Sequence, residues 1–279
     1  MKRLVSTVLL LSVLIGRAEA AADCTAQTQL DVATVKTQVF VVGEMHGTAE
    51  VPVFVGGLVC SLLQAGRPVM LALERPSSEQ AALDRYIESD GSEAERQALL
   101  GQGMWVWPMQ DGRNSRAMLA LIESVRVLRR AGQPIGILAM QHQADPRLPR
   151  DRRAMVLAHD LASRMNDRLM ADSIAAFFAE HGDYTVVAFA GDYHTATVAP
   201  TGTGPGYRPM AQVLEEFLPI FVVGLASTEP GTVWMCSRSN DCGVHPAIQQ
   251  PLFIEGTRID AEVKLGRLSA SEPAARPSK

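Results

Sequence analysis

Residues 38–47 read QVFVVGEMHG, and residues 184–194 read YTVVAFAGDYH. Each is a short unbroken apolar run followed by glycine, an acid, one further residue and a histidine. Such a run lacks the alternation of a half-exposed strand and the 3.6-residue period of an amphipathic helix. It is the pattern of a strand covered on both faces. Residues 67–74 (RPVMLALE), 134–140 (PIGILAM) and 219–226 (PIFVVGLA) repeat the pattern, and residues 232–237 form a sixth strand. Helical periodicity fills the gaps. Val51, Phe54, Val55, Leu58, Val59, Leu62 and Leu63 lie on one face of a helix that Gly66 ends. Met118, Leu121, Ile122, Val125 and Leu128 do the same for residues 116–130, which Gly132 closes. Further helices are expected over 77–86, 93–100, 151–180 and 209–217, with a polar loop over 141–150. Strands alternating with helices predict an α/β single domain, a largely parallel β-sheet flanked by helices on both faces.

The chain has 279 residues, 47% hydrophobic and 20% charged, which is ordinary globular composition with room for a sizeable core. A net charge of −4, with no basic cluster interleaved with aromatics, gives no support to a nucleic-acid partner. Lys2 and Arg3, the apolar run from Leu4 to Ile15, and Ala18-Glu19-Ala20 make the pattern of a secretory signal peptide over residues 1–20. The apolar run would span only about 18 Å as a helix, too short for a membrane anchor. The expected organisation is therefore a signal peptide (1–20), one α/β domain (21–268) and a disordered Ser/Ala/Pro tail (269–279), in a periplasmic or secreted protein with no membrane span after cleavage. In an oxidising compartment the four cysteines are expected to pair, Cys236 with Cys242 across a polar turn and Cys24 with Cys60.

In open parallel sheets, ligands bind beyond the carboxyl ends of the strands. Glu44 and His46 follow the first strand, Glu74 ends the second, Gln141 and His142 follow the third, and Tyr193 and His194 follow the fourth. A carboxylate at the end of a buried run is costly unless paired or bound to a ligand. The expected cluster is Glu44, His46, Glu74 and His194. It could act in two ways. A His paired with a carboxylate could take a proton from water, or His46, His194 and Glu74 could hold a divalent transition metal. No HExxH, GxSxG or P-loop pattern occurs, so activated water is expected rather than a serine nucleophile. Trp105, Trp107, Asp111 and Arg113 form an irregular segment that is either a substrate wall or a cap on the core.

The order GExHG, an apolar strand ending in Glu, NDRLMA on a helix and then GDYH resembles the superfamily that joins erythromycin esterases, ChaN-like haem-binding proteins and Tiki-type metalloproteases. The resemblance covers roughly residues 36–225. It implies that Glu44, His46, Glu74 and His194 belong to the active site. It also implies that Arg168, in NDRLMA, points into the cleft to hold a carboxylate or oxyanion. The function expected is an exported hydrolase that activates water on the carbonyl of a small-molecule or peptide substrate. The alternative is a ChaN-like haem or iron binder, with Tyr193 or a histidine such as His142 as axial ligand.

Overall fold

The computed structural model describes residues 24–108, 110–141, 152–238, 241–247 and 251–275, with backbone alone at 152–165, 237 and 238. The segment expected to be a signal peptide, residues 1–20, and His142 lie outside the described residues. In chain order the elements are β1 (Val39–Glu44), α1 (Glu50–Gln64), β2 (Val69–Pro76), α2 (Gln80–Glu88), α3 (Glu93–Leu100), α4 (Arg116–Arg130), β3 (Ile135–Gln141), α5 (Arg152–Glu180), β4 (Thr185–Gly191), α6 (Asp192–Thr195), α7 (Met210–Leu214), β5 (Ile220–Glu229), β6 (Gly231–Arg238), β7 (Asp241–Ala247) and β8 (Ala261–Arg267).

Six strands form one sheet in the order β3-β2-β4-β1-β5-β8, and every neighbouring pair is parallel. The apolar runs are buried on both sides, and alternate residues feed two cores. Phe40, Val42, Leu71, Leu73, Val187 and Phe189 pack under α1, α2 and α4. Val39, Val41, Ala72, Val186 and Ala188 pack against Met170 and Ile174 of α5 and Met210 and Leu214 of α7. The α/β class, the parallel sheet and its two helical layers are as the sequence predicts.

Two parts differ from the sequence reading. The sixth predicted strand, β6, does not join the sheet; it pairs antiparallel with β7 as a separate hairpin. The sheet's sixth strand is β8, in a mixed-charge stretch (AEVKLGR) whose burial is limited to Val263 and Leu265, as suits an edge. The expected disordered tail is in fact ordered over residues 269–275. It forms bridges Thr48↔Ala270 and Ser115↔Pro273. Arg116 N donates to Glu272 O at 2.8 Å, Ala274 N to Asn114 O at 2.9 Å, and Ser271 is buried. Backbone hydrogen bonds, which composition does not reveal, hold it.

Both expected disulfides form. Cys24–Cys60 ties the N-terminal segment to α1 with Cα atoms 5.4 Å apart, and Cys236–Cys242 bridges β6 and β7 at 3.9 Å.

Candidate active site

The carboxyl ends of β1, β2 and β4 lie side by side at the centre of the sheet. Glu44 pairs in register with Gly191, and Leu73 with Phe189, so Glu74 stands beside both strand ends carrying the GxxH pattern. His46 Nδ1 donates to Glu44 Oε1 at 2.7 Å, and its Nε2 lies 3.5 Å from Glu74 Oε2. His194 Nε2 lies 3.6 Å from the other oxygen, Glu74 Oε1. The structure thus brings Glu44, His46, Glu74 and His194 into one cluster. Both imidazoles keep about a fifth of their surface exposed (23% and 20%) while Glu74 is buried, so the cluster opens to solvent from the histidine side.

The partner that holds His194 was not expected from the sequence. His194 Nδ1 donates to Asp167 Oδ1 at 2.8 Å. Asp167 is fully buried on α5 and also accepts from the Tyr207 hydroxyl and from Met210 N, each at 2.9 Å. A signal was present: Asp167 lies three, four and seven residues before Met170, Ala171 and Ile174, all buried, which places it on the face of α5 that meets the sheet.

Arg168, one position on and therefore about 100° around the helix, points away from the cleft. It is 54% exposed, pairs with Asp172 at 2.8 Å and lies over the Phe217 ring at 5.5 Å. The expected role for Arg168 in the cleft is thus corrected. The guanidinium at the site is that of Arg113, whose Nη1 donates to Glu74 Oε1 at 2.9 Å while Nη2 donates to Asp111 Oδ2 at 2.6 Å. Arg113 and Asp111 therefore join the cluster through Glu74. Trp105 is fully buried with the Arg75 guanidinium 4.2 Å over its ring, which makes it core and not wall. Trp107 is half-buried. Tyr193 is exposed on α6.

The loops that carry these groups are clamped. Gly47, at φ +82°, allows the turn after His46, and a Cβ there would collide with the Trp234 carbonyl of β6. Gly47 O accepts from Trp234 N at 3.0 Å and from Ser271 N at 2.8 Å. The Trp234 indole donates to Gln110 O at 2.7 Å, tying the same hairpin to the Arg113 loop.

Electrostatics follow from this packing. Burial opposes a charge on His46, but Glu44 and Glu74 outweigh it and raise its pKa to about 9. Burial likewise opposes ionisation of Glu74, yet His194, Arg113, His46 and the Gly191 N–H (2.9 Å to Oε2) hold it down at about 2. His194 is raised by Glu74 and Asp167 against its own burial.

Among the described residues no group of three or more His, Cys, Asp or Glu side chains is arranged to hold a metal ion. The reason is visible at Glu74. One of its oxygens accepts from Arg113 and the other from Gly191 N. A dication there would face a guanidinium, so the expected ligand set of His46, His194 and Glu74 does not fit a divalent metal.

No protein-family model and no curated protein matches the chain. Solved structures do. A mutant of the erythromycin esterase EreC in its open conformation aligns with a TM-score of 0.56 at 10% identity, covering 76% of each chain. A Bacillus cereus protein aligns at 0.54 and 12% identity, covering 86% of this chain and 90% of its own. A succinoglycan biosynthesis protein aligns at 0.51 and 12% identity, covering 85% and 89%. At these identities the likeness is one of fold: the chain has the α/β architecture that these proteins, the erythromycin esterase among them, share.

Proposed function

We propose that the protein is an exported hydrolase that activates water for attack on a carbonyl carbon. One observation carries this reading. Two imidazoles, each held at Nδ1 by a buried carboxylate, turn Nε2 toward the two oxygens of one carboxylate, Glu74, at the carboxyl ends of three adjacent central strands. A carboxylate at Nδ1 fixes the tautomer and leaves Nε2 as the working atom. Glu74 lies between the two rings and favours a proton on each. When one proton is lost, the pair becomes a base beside an acid. In this reading the neutral His46 takes a proton from water at Nε2, with Glu44 stabilising the imidazolium that results. His194 keeps its proton and donates a hydrogen bond to the oxyanion; as the bond to the leaving group breaks, the proton held by His46 passes to that group. Asp167 orients His194, and the Asp111–Arg113 pair holds Glu74 in place. The two disulfides support an oxidising compartment, and no described helix is long and apolar enough to cross a membrane.

The test is turnover by the purified full chain on a panel of carboxylic esters, lactones and peptides, alongside His46→Ala and His194→Ala. Hydrolysis that either substitution lowers by about a hundredfold or more, in a variant that keeps a folded circular-dichroism spectrum and a cooperative melt, is the expected result. Turnover that survives both substitutions overturns the reading. So does an inert protein that instead gives a stoichiometric Soret band on hemin titration, which would favour the haem-binding alternative.

A further inference from the structure

A concavity lies at the opposite end of the sheet from the histidines, and the proposed hydrolysis makes no use of it. It has a volume of about 310 Å³ and sits off the edge strand β3, between α2 on one side and the end of α5 on the other. Its floor is apolar: Met70, Ile87, Ile135 and Ile137. One wall is a set of three mutually packed rings. Phe177 and His181 have centroids 4.7 Å apart, and Tyr184 stands edge-on to Phe177 at 5.7 Å and near edge-on to His181 at 5.9 Å. The facing wall carries Asp84 and Glu88, one turn apart on α2.

The charges there are unequal. Arg129 is committed to Glu88, with Nε 2.7 Å from its Oε1, and its Nη1 donates to Ile135 O at 3.2 Å. Asp84 accepts from the neutral Gln80 amide at 2.8 Å and forms no ion pair among the described residues. An apolar floor, a ring wall and one carboxylate with no ion pair among the described residues are complementary to a positive charge on an apolar body.

An added β-strand is ruled out as the occupant. The Gln80 side chain donates to Ile137 O at 2.8 Å and accepts from Ala139 N at 2.7 Å, so it fills the place of a strand's peptide group along the free edge of β3. Gly136 also lines the concavity, and a Cβ on it would come within 2.8 Å of Met70 Cε. The geometry points to a binding site for a small aromatic or alkyl ammonium ion, separate from the active site, with Asp84 as the charge partner and the Phe177–His181–Tyr184 rings as the wall.

The experiment titrates the full chain with 2-phenylethylamine hydrochloride and, separately, with its neutral counterpart 2-phenylethanol, followed by NMR. The ammonium ion is expected to bind at least about fivefold tighter than the alcohol, with shifts at Phe177, His181 and Tyr184. Asp84→Asn, on an exposed position that leaves the fold intact, is expected to remove that preference. Gly136→Val, where it folds, is expected to abolish binding of both. Equal affinity for amine and alcohol, a preference that survives Asp84→Asn, the absence of saturable binding, or shifts confined to His46 and His194 would each overturn the assignment. None of these outcomes depends on whether the histidine cluster hydrolyses anything.

Discussion

Glu74 shows how much one carboxylate can organise. It is buried, yet it touches Arg113, His46, His194 and the backbone of Gly191. Removing one partner from a buried charge network leaves the others uncompensated, so Glu74→Gln is expected to cost about 3 kcal/mol in urea unfolding and to abolish turnover. The pH dependence follows from the two directions of shift. His46 is raised from 6.5 to about 9, so its ion pairs stabilise the fold fully below pH 6.5 and less as pH rises through about 9. Glu74 is lowered from 4.5 to about 2, so its contribution is present above pH 4.5 and fades as pH falls through about 2. Melting temperature against pH should therefore fall on the alkaline side, and His46→Gln should flatten that limb. Hydrolysis that needs neutral His46 should rise over the same range, so a rate that peaks well below pH 7 would contradict the assignment of His46 as base. Asp167→Asn should lower the His194 pKa, read by histidine NMR, while leaving the Glu44–His46 pair in place. At this scale the sequence showed the chemistry but not all the partners. Glu44, His46, Glu74 and His194 were legible as candidates because a parallel sheet puts the carboxyl ends of all its strands on one edge; that β2, β4 and β1 are neighbours there came from the structure. Asp167 was not, because nothing in a single sequence says that α5 crosses that particular strand end, and the family resemblance implied its neighbour Arg168 instead.

The elements around the cluster act as a clamp. The turn after β1, the loop before α4, the β6–β7 hairpin and the segment 269–275 are joined by backbone hydrogen bonds at Gly47, Asn114 and Arg116. Gly47→Ala should therefore be severe: it forces a side chain into a positive φ and into the Trp234 carbonyl, and about 2 kcal/mol or more of stability should be lost. Deleting residues 269–279 should leave the sheet folded but speed hydrogen exchange at Ala49 N and Arg116 N, whose acceptors lie in that segment. Unchanged protection at both would show that the strap is dispensable. These elements were hardest to read because their sequences are mixed in polarity. β8 and the strap carry few apolar residues, and their order comes from backbone pairing across long separations.

For the whole molecule, the two disulfides differ in what they constrain. Cys24–Cys60 closes a separation of 36 residues and Cys236–Cys242 one of 6, so chain-entropy reasoning gives about 4 and about 2 kcal/mol. The double variant Cys24→Ala/Cys60→Ala should lose more in guanidinium unfolding than Cys236→Ala/Cys242→Ala, and the reverse order would show that native strain dominates. The fold class itself was legible because five buried runs alternate with periodic helices. The strand order was not, since a run buried on both faces looks the same wherever it sits in the sheet. That order carries a kinetic consequence. β1 precedes the other strands in the chain but lies inside the sheet, where Val39 pairs with Val186 on one side and Ile220 on the other. Until those distant segments arrive, both edges of VFVVG stand open and adhesive. The rate at which the chain escapes clumping, rather than the depth of its native minimum, should then limit the yield of refolded protein.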